Sequence, residues 1–189
     1  MTVPTLTPAD FHQPAVLLSG TVDYAMYQSF RSQLGTAPSD GLVAIELSTL
    51  GGDPEVARMM GEDVRFHTEL EPQRRFAFLG KAAIYSAGTT FMSFFARENR
   101  YLTRGTRMMV HERHLTRTVN LDSPLSLCLP QLEAVQNEMR ASIAIQEEGF
   151  RNLVAGSSLS FEDLVGKART NWYIEASEAQ SLGLIEGII

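Results

Sequence analysis

Three places in this 189-residue chain set a reactive or ligand-approaching residue beside glycine at the end of an apolar run. Gly51-Gly52 follows the run at 42–47. Two adjacent glycines let the backbone approach a ligand and turn an N–H toward it, as an oxyanion hole requires, and they serve equally as a strand-to-helix turn. Ser86 follows the run at 75–79 and Gly80, and opens the small and aromatic stretch Ala87-Gly-Thr-Thr-Phe-Met-Ser-Phe-Phe-Ala96. At a helix start its hydroxyl would sit near the positive end of the dipole with the Ala87 N–H beside it, although the same position suits an ordinary N-cap. His111 closes the run at 107–110 and suits either a general base or a satisfied core histidine. His114 lies further into a polar stretch and reads as a solvated loop residue, while His12 and His67 have no partner pattern. His111 and His114, three apart, could share a metal only on a helix, and the segment lacks helical periodicity, so no metal site and no cofactor is expected. The lone Cys128 has no internal disulfide partner and reads as a small apolar residue.

The elements that must hold these residues alternate along the chain. Apolar runs at 15–20, 42–47, 75–79, 100–102 and 107–110 read as short strands, and helical spacing appears at 23–35 and 53–70. Asp23 is a plausible N-cap and Gly35 a plausible stop for the first of these helices. A helix is expected from Ser86 to Ala96, a long one from Pro130 to about Ala155 with proline in its first turn, and a final one near 160–169. Strands alternating with helices imply βαβ units and a largely parallel sheet. Ligands of such α/β sheets bind beyond the carboxyl ends of the strands, where Gly52, Ser86 and His111 all fall. Residues 1–14, with Pro4, Pro8 and Pro14, read as an irregular arm ahead of a single domain at 15–189. The polar stretch 112–129, interrupted by Pro124, reads as an excursion from that domain.

Taken in order, Leu47-Ser-Thr-Leu-Gly-Gly52, Gly80-Lys-Ala-Ala-Ile-Tyr-Ser-Ala-Gly88, Met109-Val-His111 and the closing Ile174-Glu-Ala-Ser-Glu-Ala-Gln-Ser-Leu-Gly-Leu-Ile185 resemble the proteolytic subunit of the Clp protease. The resemblance runs from about Leu17 to Ile188. It implies an α/β fold, a crotonase-like spiral of βαβ units with a protruding strand and long helix (a handle, here about 112–155). It also implies a serine peptidase in which Ser86 attacks the peptide carbonyl and His111 moves the proton. The N–H groups of Gly52 and Ala87 would then form the oxyanion hole. The family assembles into stacked seven-membered rings, so the resemblance implies a homo-oligomer that encloses peptide or unfolded-protein substrates in a chamber.

The sequence departs from the family at four points. Asn171 stands where the family has its catalytic aspartate; it could accept the imidazole Nδ1–H but could not stabilise imidazolium by charge. Asp163 and Asp122 are other carboxylates that could take its place. Leu50 replaces the proline that usually precedes Gly-Gly, and 112–129 carries an insertion at the ring-stacking strand. The N-terminal arm is short, which makes an AAA+ ATPase the least supported of the implied partners. Two further readings compete with an active peptidase: an impaired scaffold or regulatory subunit, suggested by Asn171, and an acyl-CoA enzyme of the crotonase superfamily. The latter normally moves protons with glutamates, and none stands at the helix start occupied by Ser86.

Composition excludes other classes. A formal net charge of −6 with no Lys/Arg-rich run argues against nucleic acid, and no apolar window reaches the ~18–20 residues of a membrane span. Without a basic-then-apolar leader the chain is expected to be cytoplasmic.

Overall fold

The computed structural model describes residues 4–189, so the first three residues of the expected arm lie outside it. The elements follow as β1 (Val16–Ser19), α1 (Tyr24–Thr36), β2 (Gly41–Thr49), α2 (Pro54–Leu70), β3 (Arg74–Tyr85) and α3 (Ala87–Met92). After these come β4 (Arg100–Leu102), β5 (Arg107–Val110), α4 (Leu125–Val154), α5 (Phe161–Ala168), β6 (Trp172–Glu175), α6 (Ala176–Ser181) and β7 (Gly187–Ile188). The strands form one sheet with the order β1-β2-β3-β4-β7, and β5 pairs with both β3 and β6. Every pairing is parallel except β5 with β6. The expected βαβ architecture is present. Within the expected arm, Pro8–Phe11 forms a turn of 3₁₀ helix whose Phe11 packs on Tyr101.

The N-cap expected at Asp23 is present, and Asp53 caps α2. Asp23 accepts from the Met26 N–H at 2.9 Å, and Asp53 from the Glu55 N–H at 2.8 Å ahead of Pro54. The core forms where α1, α2 and α3 cover one face of the sheet. Met26, Phe30 and Leu34 recur at helical spacing on α1, and Val56, Met60 and Val64 on α2. They meet Val43, Ile45 and Leu47 of β2 and Phe76 and Phe78 of β3 in one cluster. The alternate residues Ala44, Ala77 and Leu79 point to the opposite face, under Phe11 and Tyr101. Burial on both faces explains why these strands read as continuous apolar runs.

β3 decides where the site goes. The 75–79 run is only its first half: the strand continues to Tyr85 through a bulge. Leu47 pairs with Gly80 but Thr49 pairs with Ile84, so two steps on β2 match four on β3. Ala82 takes φ 57° at the bend, and the Gly80 carbonyl accepts from the Thr103 N–H at 2.9 Å and the Thr106 hydroxyl at 3.0 Å. Before the bend β3 pairs with β4; after it, with β5. The redirected half delivers its end beside the end of β5.

Three expectations are corrected here, the first being that Gly35 ends α1: it lies inside the helix, which runs to Thr36 and is capped by Ala37. The helix after Ser86 covers only Ala87–Met92, because turns take over at Ser93 ahead of the buried Phe95. The long helix begins at Leu125 rather than at Pro130, which sits inside it in the second turn. At 30 residues α4 spans about 45 Å, yet Cys128, Phe150 and Leu153 are its only buried residues. Residues 111–124 run without helix or strand alongside it. Most of the handle therefore projects from the domain, and Leu129, Leu132, Met139 and Ile143 are exposed.

Arg100 fixes the base of the handle. It is 2% exposed and donates to the carbonyls of Asn152 and Leu153 at the end of α4, of Ser93 and Phe95 beyond α3, and of Leu184. One planar cation thus satisfies the carbonyls that a helix end leaves without partners. Burial pushes its pKa down to about 10, so it remains protonated at neutral pH. No helix among the described residues is long and apolar enough to cross a membrane.

Candidate active site

Ser86 sits at the tip of the redirected β3, with φ 53° and ψ −111°, a conformation rare outside glycine. Its neighbours hold it there. Its N–H donates to the Met109 carbonyl at 2.8 Å, and its carbonyl accepts from the N–H groups of Thr89 (2.9 Å) and Thr90 (3.2 Å) and from the Thr89 hydroxyl (2.7 Å). These bonds to its own N–H and carbonyl offset a strain of about 1–3 kcal/mol and fix the direction of the side chain. That direction is toward His111, the residue after β5, whose Nε2 lies 2.7 Å from Ser86 Oγ. The two residues are 25 apart in sequence and meet because β3 and β5 are parallel neighbours.

In the turn after β2, Gly51 packs against the serine and Gly52 against Val22. A Cβ at Gly51 would lie 3.1 Å from Ser86 Cβ, and one at Gly52 would overlap the Val22 carbonyl oxygen. With φ of 114° and 149°, both positions need glycine for conformation as well as for space. The turn is clamped by Val22, whose N–H donates to the Gly51 carbonyl at 3.0 Å and whose carbonyl accepts from the Asp53 N–H at 2.8 Å. The N–H groups of Gly52 and Ala87 have no hydrogen-bond partner among the described residues. Leu50, at the position of the family's proline, is exposed and leaves the turn intact. Since α3 has only six residues, few peptide dipoles align behind Ala87, and its N–H is the larger local effect.

The third position differs from the resemblance. His111 Nδ1 is buried and has no hydrogen-bond partner among the described residues. Asn171 lies one residue beyond the last β5–β6 pair, Val110 with Trp172, which places it across from His111. Its backbone turns away at φ 55°, its N–H donates to the Ala168 carbonyl at 3.3 Å, and its side chain is exposed. Asp163 is held by the N-cap hydroxyl of Ser160 at 2.7 Å, and Asp122 is exposed on the handle; neither meets His111. A buried imidazole nitrogen without a partner costs about 1–3 kcal/mol, and nothing favours the tautomer that leaves Nε2 free to accept a proton. Among the described residues no three His, Cys, Asp or Glu side chains cluster as metal ligands.

A cavity of about 220 Å³ opens beside the dyad. Gly52, Ser86 and His111 form one wall, and Ile145, Phe150 and Leu153 of α4 an apolar one. Arg58, Arg113 and His114 complete it. The His114 ring stands 5.3 Å from that of His111, so this loop histidine is exposed yet belongs to the site. Arg113 and Arg58 both bind Glu55, at 2.5 Å and 3.0 Å. Partial burial pushes the Glu55 carboxyl up, and the two arginines outweigh it, leaving its pKa below the usual range. Sequence reasoning missed these arginines and the α4 wall. Their only signals were a helical apolar stripe and two ordinary surface charges.

No family model and no curated protein sequence matches this chain. Solved structures do. An asparagine-to-aspartate mutant of ClpP1 from Listeria monocytogenes superposes with a TM-score of 0.70 over 92% of this chain and 90% of that one, at 19% identity. The fold is ClpP-like. Identity this low accounts for the empty sequence comparisons: the backbone path persists where few side chains do. That likeness covers the mostly parallel sheet and the helices described above.

Proposed function

We propose that this chain is a ClpP-like serine peptidase with Ser86 as nucleophile and His111 as general base. The 2.7 Å contact between Ser86 Oγ and His111 Nε2, on a strained backbone at the end of a parallel strand, carries the reading. Nε2 would take the hydroxyl proton as Oγ attacks the carbonyl carbon, then give it to the leaving amine. The free N–H groups of Gly52 and Ala87 would stabilise the oxyanion, each worth roughly 2.7–4 kcal/mol of barrier. Substrates on this reading are peptides or unfolded chains, and the exposed apolar residues of α4 support self-association into a chamber-forming homo-oligomer. Labelling with a fluorophosphonate probe, followed by peptide mapping, tests the assignment. An adduct on Ser86, absent in the His111→Ala variant, is expected; a folded protein that takes no label at Ser86 sinks the reading.

A second reading, an impaired member with a scaffold or regulatory role, is favoured by the partnerless Nδ1 of His111. An asparagine at position 171 provides no charge to stabilise imidazolium, and its exposed side chain does not orient the ring. The two readings share the dyad and differ in rate. Label that forms at Ser86 with no measurable peptide turnover supports the second.

A further inference from the structure

We propose that Arg113 makes the cavity beside Ser86 selective for substrates that carry a carboxylate next to the reacting bond. The inference rests on the peptidase reading and adds the substrate class to it. The chain as a whole has a formal net charge of −6, yet no residue lining this cavity is acidic and two are arginines. The arginines are not equivalent. Arg58 commits Nη1 to Glu55 at 3.0 Å and Nη2 to Glu148 at 3.4 Å. Arg113 commits only Nη2, to Glu55, while its Nε and Nη1 have no partner among the described residues.

Arg113 is also positioned. Its side chain is 19% exposed, and its backbone N–H donates to Gln146 Oε1 of α4 at 2.6 Å. Both oxygens of Glu55 are taken, one by each arginine, so that carboxylate orients the guanidinium without filling its remaining donors. A substrate carboxylate seated there would receive charge-assisted hydrogen bonds in a partly dry site, with its methylenes against Ile145, Phe150 and Leu153. A lysine in the same place would face Arg58 and Arg113.

The test measures binding, so that it does not depend on turnover. Calorimetry on the full chain carrying Ser86→Ala would compare acetylated peptide amides that differ at one residue: Glu, Gln, Leu or Lys. A Leu peptide with a free C-terminus forms a further arm. Glu is expected to bind about tenfold more tightly than Gln, Lys most weakly, and the preference should shrink with added salt. Adding Arg113→Leu should bring the Glu and Gln peptides to equal affinity, with the melting temperature lowered by the lost Glu55 contact but the fold retained, and Arg113→Lys should keep part of the preference. A gain from the free C-terminus that matches the gain from Glu supports the proposal and identifies the main-chain carboxylate as an equal ligand. Equal binding of Glu and Gln, with Leu binding intact, overturns this inference alone; no binding of any peptide overturns the peptidase reading with it.

Discussion

At the scale of single residues, the peptidase reading makes His111 the residue that separates an active site from an idle one. Its Nε2 is engaged by Ser86 and its Nδ1 by none of the described residues. A carboxylate at position 171 would place a charge across the strand from the ring, and its side chain would gain a reason to turn inward. Asn171→Asp is therefore expected to raise kcat on peptide substrates by about 10²-fold, out of the roughly 10⁴ that separates Asp from Asn in serine triads. Unchanged turnover, with a structure showing the new carboxylate still turned outward, would disprove this account of the site. Gly52→Ala tests the turn beside it. Its Cβ would collide with the Val22 carbonyl, so a stability loss of on the order of 2 kcal/mol is expected in urea titration, together with lost labelling of Ser86.

At the scale of elements, two of the contacts that join the handle to the domain differ in sensitivity. Arg100 meets the end of α4 in a buried, water-poor setting. Arg100→Leu removes one cation and leaves its carbonyl acceptors without donors, for an expected cost of about 3–5 kcal/mol, visible as a fall in melting temperature. The Glu55 cluster joins α2 to residue 113 in partial contact with water. Because Arg113 and Arg58 hold the folded pKa of Glu55 below its unfolded value, that stabilisation is complete above the ordinary glutamate value of 4.5. It is lost as pH falls through the folded value. After correction for intrinsic exchange rates, protection of the Glu112 and Arg113 N–H groups should fall below pH 4.5 while β2 and β3 stay protected; unchanged protection of both down to the global acid transition would contradict this.

At the scale of the molecule, α4 exposes Leu129, Leu132, Met139 and Ile143 along a projecting helix. On the homo-oligomer reading these residues are covered by another copy. Light scattering should give a multi-subunit mass for the native chain and a smaller one for Leu132→Asp with Met139→Asp. A monomeric native protein at micromolar concentration would count against a chamber-forming assembly.

The sequence by itself determined the parts whose signals are local. Periodicity located α1 and α2, the capping Asp23 placed the start of α1, and apolar runs marked β1, β2 and β5. Glycine pairs and strand ends pointed to Gly52, Ser86 and His111 because each of those signals lies within a few residues of the position it marks. The family resemblance tied these positions into one expectation. Tertiary structure alone decided the rest. The second half of β3 was hidden because its bulge breaks strand alternation at Gly80, a cost met by Thr103 and Thr106. The start of α4 was misplaced because Pro130 signals a first turn, whereas Leu125 adds one before it. The cavity walls on α4, the arginines sharing Glu55 and the empty position beside His111 Nδ1 depend on which distant elements dock together. Ser86 and His111 could be named from the chain, but what surrounds them is a property of long-range packing, which local residue patterns do not encode.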